Sequence, residues 1–398
     1  MTETQQKLLE LNNVFSPSAP IEHRDLFFGR LEQVDRTLEA INERGQHAII
    51  YGERGVGKTS LANIINLSLQ RSTSSIKVTC NPNDTFKSIW SRALSKLQFN
   101  KLSHGIGFHP ELKESSLQLN LFLPQYDDIT AGDIQVILES LSENLIFIFD
   151  EFDSISDEEI KNQFAHSIKY FSDNVTYVTI ILVGIADDIT ELITKHLSLE
   201  RCLVNIPIPK MSIEELSKIV DHGFGKLGLR IENEVRQKII SYSAGFPHYT
   251  HLLSKYSAES TIRGNKILSD HLDFDYAVSK AIKNTQQKIR DEFQKAIISS
   301  KDIKQFENVL YAVAITEPDE FGCVNANQIL KKYNDITSQE KSREGVTYYL
   351  SALSSSERGE ILIKVGSSKN VKYKFSNSLM KTYVLLKHYE KKNLSNQK

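Results

Sequence analysis

No apolar run in this sequence approaches the roughly 18 residues that a membrane-spanning helix needs. Its first residues, Met1-Thr-Glu-Thr-Gln-Gln, lack the basic and apolar regions of a secretory leader. The expectation is a cytoplasmic protein with no membrane partner. Cysteine is scarce: Cys80, Cys202 and Cys323 stand far apart with no CxxC pair, which fits reduced thiols better than a disulfide or zinc framework. No internal repeat or low-complexity tract occurs, no Ser-His-Asp or Cys-His nucleophile pattern stands out, and His222, His248 and His251 form no metal set. Net charge is small too, −2 over 398 residues, so nothing pulls the whole chain toward nucleic acid or a membrane surface. That charge is unevenly placed. From Lys341 to Lys398 there are 12 Lys/Arg against 4 Glu and no Asp, a net +8, which leaves −10 for the rest. The end of the chain is a basic module on an acidic body.

What the sequence does have is length for two or three domains and a regular alternation of patterns. Residues Met1 to about Asp25 suggest a partly ordered arm with turn chemistry at Ser16-Pro17-Ser18-Ala19-Pro20. Leu31, Val34, Leu38 and Ile41 predict a helix, and the short apolar run His47–Tyr51 predicts a strand leading into a glycine loop and a second helix from Thr59. Further strands are expected at Ile76–Cys80, Leu145–Phe149, Val178–Val183 and Cys202–Ile206, separated by helices at Thr85–Leu97 and after the capping box Ser156–Glu159. Strands alternating with helices predict an α/β domain over residues 26–209 with a parallel sheet. One stretch, His104–Asp128, breaks the rhythm. Its alternating Leu117, Leu119, Leu121 and Leu123 suggest an inserted loop carrying one strand. From Met211, after a capping box at Ser212–Glu215, the pattern is helical to about Arg290, a helical domain over 210–290. Three helices (Lys304–Ala314, Asn325–Tyr333, Ser342–Ser354) and a hairpin (Ile361–Phe375) then predict a winged helix in a last domain, 291–398.

The chemistry concentrates in two places. Gly52-Glu53-Arg54-Gly55-Val56-Gly57-Lys58-Thr59 matches GxxxxGK[ST] between a strand and a helix. Glycines let backbone N–H groups converge on phosphate oxygens. The helix that follows, with Ser60 in its first turn, adds its positive end. Lys58 would meet the β and γ phosphates, and the Thr59 hydroxyl would ligate Mg²⁺. Asp150-Glu151 directly follows the apolar strand Leu145–Phe149. There Asp150 would hold the magnesium and Glu151 would polarise the attacking water as general base. The expected cofactors are ATP and Mg²⁺, and the expected activity is ATP hydrolysis.

These motifs resemble the AAA+ superfamily, and within it the origin-recognition clade and the related STAND-like ATPases. Phe27-Phe28-Gly29-Arg30-x-Glu32 resembles the adenine-side box before the phosphate loop, and Val78-Thr-Cys80-Asn81 with Thr85 resembles that clade's second strand. Ser198-Leu-Glu-Arg201 resembles the box bearing an arginine finger, and Ser243-Ala-Gly-Phe-Pro247-His248 resembles the GxP element of STAND proteins. The resemblance covers about residues 26–385. It implies a P-loop AAA+ domain, a helical lid, a C-terminal winged helix and nucleotide at a subunit junction, hence a homo-oligomer. Arg201 is then a candidate catalytic residue supplied to a neighbouring subunit; the plainer alternative is a surface arginine. Pro247 and His248 would lie on the nucleotide side of the lid, and Asp187 is the candidate for the polar sensor. The arginine usual in initiator lids is replaced near His248 and Tyr249, which implies a slow, switch-like ATPase.

The basic end suggests duplex DNA. The third helix of the winged helix carries Lys341, Arg343, Tyr348 and Tyr349, and the wing carries Lys364, Lys369, Lys372 and Lys374, which suits phosphate contact more than base reading. The alternative is a regulator that controls a partner effector protein.

Overall fold

The computed structural model describes residues 3–17, 30–69, 74–104, 112–139, 141, 144–186, 199–299, 302–319, 322–338, 340–366 and 371–396. Two compact units divide the chain, one comprising Pro20–Glu53 and Gly57–Pro209, the other Met1–Ala19, Arg54–Val56 and Lys210–Lys398.

The chain opens with α1 (Glu3–Val14), which belongs to the second unit. In the α/β unit, α2 (Leu31–Asn42) leads to β1 (His47–Gly52), α3 (Lys58–Leu69), β2 (Ser74–Thr79) and α4 (Phe86–Leu94). A hairpin of β3 (Gln98–His104) and β4 (Leu112–Gln118) precedes α5 (Ala131–Leu138), β5 (Leu145–Asp150), α6 (Glu158–Asn174), β6 (Val178–Ile185) and β7 (Leu203–Pro207). Five of these strands form one parallel sheet in the order β2-β5-β6-β1-β7. Strands β5 and β6 are buried nearly throughout, as expected where helices cover both faces. One face closes over an aromatic cluster: the fully buried Trp90 meets Phe86, Phe147, Phe149, Phe164 and Phe171. Helix α4 is fixed in place at its start by a reciprocal cap between Thr85 and Ser88.

Two local expectations change here. The leucine alternation does not continue as a strand. Strand β4 ends at Gln118, and Leu119–Phe122 turn into a 3-10 helix that drops Leu119 into the core while Leu121 stays exposed. The insertion is a two-stranded hairpin in place of one strand, and the residues between its strands, 105–111, lie outside the described ones. Helix α6 is capped by Asp157, whose side chain accepts from Glu159 N–H, in place of the Ser156 box.

In the second unit, α7 (Ile213–Lys226), α8 (Asn233–Ser243) and α10 (His271–Asn284) surround the mostly buried α9 (Pro247–Arg263), with β8 (Arg230–Ile231) and β9 (Leu268–Ser269) forming a short parallel pair. The capping box of Ser212 and Glu215 opens α7. Residues 3–14 are helical where a partly ordered arm was expected, and residues 18–20 of the expected turn lie outside the described ones. Leu11, Val14 and Phe15 recur at helical spacing and are buried. Phe15 lies edge-on to Phe224 and to His251, and a Cβ on Gly223 would sit 2.2 Å from the Phe15 ring, so only glycine fits there. The remaining elements are α11 (Gln287–Ile297), α12 (Ile303–Ile315), β10 (Val324–Asn325), α13 (Ala326–Thr337), α14 (Arg343–Leu353), β11 (Leu362–Val365), β12 (Lys372–Phe375) and α15 (Ser378–Asn396). Strands β10, β12 and β11 form an antiparallel three-stranded sheet in that order.

Candidate nucleotide site

Strand β1 sits next to β6 and β7, where the order of the parallel sheet reverses, so the carboxyl end of β1 opens at a topological switch point. The chain must leave that end through a tight loop. Gly52 lies at φ +153°, with room for no side chain: a Cβ would stand 2.5 Å from Ile208 O. Gly57 takes φ +99°, and α3 starts at the next residue, which turns its first N–H groups toward the loop. Lys58 is buried, its ammonium donating to the carbonyl oxygens of Gly52 (2.9 Å) and Glu53 (2.8 Å). A lysine held across its own loop is a positive charge at the mouth of an amide cradle.

Asp150, 2% exposed, ends β5 on the same edge of the sheet. Its Oδ1 accepts from the Thr59 hydroxyl (3.4 Å) and from Glu151 N–H (3.0 Å), and its Oδ2 meets the Lys77 ammonium at 2.8 Å. Thus residues 91 apart in sequence share one carboxylate. Glu151 is exposed and takes φ +55°, a left-handed conformation unusual for a side chain of this kind and found where surrounding structure enforces it. A 3-10 turn, Phe152–Ser154, follows, and Asp153 Oδ1 accepts from Ile185 N–H (2.7 Å) at the end of β6. The acids are therefore clamped to the neighbouring strand.

The other sequence candidates fall in several places. Ser60 lies half-buried in the first turn of α3. Arg30 is buried just before α2 and takes φ +64°, while Phe28, Gly29 and Asp187 lie outside the described residues. Arg54, Gly55 and Val56 group with the second unit, where Ser378 Oγ donates to Arg54 O (3.3 Å) and a Cβ on Gly55 would stand 2.9 Å from Leu379. Pro247 opens α9, and the neighbouring His248 Nδ1 donates to Pro17 O (2.7 Å). Burial chiefly, and the Arg54 charge in a smaller measure, hold the His248 imidazole below its ordinary range. Arg201 precedes β7, whose Leu203 pairs with His47 at the start of β1. It therefore lies at the amino edge of the sheet, a six-residue strand, about 20 Å, away from the loop that follows Gly52. There its guanidinium pairs with Asp173 at 2.5 Å on an exposed surface. It does not reach the loop 52–59 of its own chain.

Sequence reasoning missed Lys77. The signal was present: a lysine in the middle of Ser74-Ser-Ile-Lys-Val-Thr79, a strand of a parallel sheet, needs a partner. The ammonium also reaches Asn63 Oδ1 on α3. All three cysteines are free and buried, and burial pushes the Cys80 thiol up to about 12. Among the described residues no cluster of His, Cys, Asp and Glu could hold a metal by itself, and no helix is long and apolar enough to cross a membrane.

At the basic end, several lysines already have partners. Lys341 Nζ lies 4.3 Å from the centre of the Tyr349 ring and 5.3 Å from that of Tyr333, and burial lowers its pKa. Lys372 pairs with Asp319 at 2.7 Å, while Lys364 lies exposed beside Ser351 (3.3 Å). Arg343 and Tyr348 are exposed on α14, and Lys369 lies outside the described residues.

The sequence matches the family model of Novel STAND NTPase 1, nSTAND1, over residues 19–302. The chain belongs to the nSTAND1 family. No curated protein sequence matches it. In three dimensions this nSTAND1 chain is similar to a Walker-type ATPase of Pyrococcus abyssi, with a TM-score of 0.55 at 14% identity over 94% of this chain and 99% of the other. Lower scores join it to the ORC1 protein of Aeropyrum pernix in complex with DNA (0.48, 14%, 94% and 95%) and to the RuvB Holliday junction branch migration motor of Thermotoga maritima (0.45, 14%, 88% and 95%). The fold is that of this Walker-type ATPase: an α/β unit on a parallel central sheet, with many helices.

Proposed function

We propose that this nSTAND1 NTPase binds and slowly hydrolyses ATP at the loop 52–59, and uses the nucleotide state as a switch. The observation that carries the reading is the meeting of Thr59 with Asp150 beside Lys58 and Glu151 at one edge of the sheet. The hydroxyl and carboxylate oxygens are hard donors that suit magnesium, so Thr59 and Asp150 are the residues that would hold it. Bound there, the ion would neutralise charge on the phosphate oxygens. Lys58 and the loop amides would position the triphosphate, and Glu151 would take a proton from water as its oxygen bonds to the γ-phosphorus. The bond to the β–γ bridging oxygen breaks, giving ADP and phosphate. Position and exposure suit Arg201 to a neighbouring copy's nucleotide, which makes a homo-oligomer the active form. The domains that follow from this reading are the AAA+ unit over 26–209, a lid over 210–290 and a winged helix over 291–398.

What the switch drives has two readings. Three helices and a three-stranded sheet with exposed Arg343, Lys364 and Tyr348 support contact with duplex DNA. Control of an effector protein is supported by a groove of about 570 Å³ between α11, α12 and α15, with Phe293, Ile303, Val384, Lys304 and Lys392 in its lining. A salt titration of duplex binding with and without ATP separates them, and no binding at low salt ends the DNA reading. The phosphate site itself is tested by Lys58→Ala. A loss of ATP affinity of about 100-fold or more is expected, read by titration calorimetry, and unchanged affinity removes the assignment.

A further inference from the structure

We infer that Lys77 sets how strongly the acidic side of this site takes up a divalent ion, an inference that rests on the proposed role of Asp150. The Asp150 side chain is 3% exposed, and a carboxylate so deeply buried needs a positive neighbour. Lys77, itself 18% exposed, supplies it at 2.8 Å on Oδ2, while Oδ1 is taken by Thr59 and the Glu151 amide. The ammonium is not a swinging surface group. Its strand lies next to β5 in register, with Thr79 opposite Asp150, and its second bond goes to Asn63, one turn along α3 from Thr59. Helix and strand together hold a fixed single charge against the carboxylate that a doubly charged ion must share.

Two consequences follow from charge alone. Without metal, Lys77 keeps Asp150 paired and aimed at Thr59. When a divalent ion arrives, the same ammonium repels it and competes for the carboxylate, so its affinity is lower than that of a site whose acid has no fixed cation. With like charges a few ångströms apart in a partly screened site, the effect is roughly three- to thirty-fold in ion affinity. Lys77 is thus a positioning residue that moderates metal uptake and makes it depend on the triphosphate, whose negative charge offsets the repulsion.

The test is a titration of Mn²⁺ into the protein with a non-hydrolysable ATP analogue present, the free ion being read by electron paramagnetic resonance. Lys77→Gln keeps a donor for Asp150 and removes the charge. It should lower the Mn²⁺ concentration at half saturation roughly three- to thirty-fold, with Lys77→Arg close to the unaltered protein. An unchanged half saturation in folded Lys77→Gln protein overturns the inference. Should that variant fail to fold, Asn63→Asp draws the ammonium toward a second carboxylate and should shift the curve the same way, and no shift there overturns it equally. Unaltered protein that binds no analogue with Mn²⁺ present would instead remove the phosphate-site reading.

Discussion

In the α/β unit the charged side chains at the carboxyl edge of the sheet serve one another, and Lys58 and Asp150 among them are buried. Lys58 is folded onto its own loop, Asp150 lies between Thr59 and Lys77, and Glu151 is forced into a left-handed turn. In the C-terminal region the lysines are more numerous, yet Lys341 lies over tyrosine rings and Lys372 on Asp319. A count of charges favours the second region, whereas geometry shows the first to be the more closely interlocked cluster. A buried polar group must be matched by the fold, so its placement records a function more faithfully than an exposed one.

The sharpest way to break that contrast is at Glu151. Glu151→Gln should bind ATP as before and lose turnover by about 10²–10⁴-fold, the usual contribution of a general base, with phosphate release as the measurement. Normal turnover would move the base elsewhere and leave the strained backbone there without a catalytic purpose. Next in size is the core that holds the sheet edge. Trp90→Ala removes the hub of five phenylalanines and should cost about 3–5 kcal/mol in urea unfolding. A loss below about 1 kcal/mol would show that the cluster relaxes around the gap.

Acid should strike both regions alike. His47 in β1 and His251 in α9 are each lowered by burial from 6.5 to about 4. Each therefore takes up a proton in the unfolded chain before it does so when folded. The stability they confer is complete above about 6.5 and falls as the pH drops toward 4, by on the order of 1 kcal/mol per histidine per pH unit. Urea midpoints at pH 7 and pH 5 measure this, and His47→Gln should flatten the slope. An equally steep slope in that variant would assign the acid sensitivity to other groups.

Much of this was legible beforehand, for reasons visible in particular residues. Leu145–Asp150 is apolar without interruption because both faces are covered, and the glycines of 52–57 are required by backbone geometry, so local sequence alone specifies them. The hairpin was misread because Leu119 and Leu123 follow the period of a strand while their burial is achieved by a 3-10 turn, which the same spacing permits. Helix α1 was missed because its apolar residues are few and Phe15, directly after it, finds its partners more than 200 positions away, at Phe224 and His251. Lys77 was missed for the same reason: its carboxylate is 73 residues distant in sequence, and only the pairing of β2 with β5 brings them together.

The smallest expected effect bears on the basic end. If α14 and the β11–β12 hairpin touch duplex, Lys364→Ala should weaken binding by a similar factor on every sequence and reduce the slope of log K against log salt by about 1. Lys341→Ala should leave that slope unchanged, because its ammonium is committed to the rings of Tyr349 and Tyr333, and should cost about 0.5–2 kcal/mol of stability instead. Binding titrations at three salt concentrations beside thermal melts read both quantities. Equal slopes lost in the two variants would mean that Lys341 leaves its rings to meet phosphate, and the distinction between buried, committed charge and exposed, available charge would then fail in the region where it was drawn most finely.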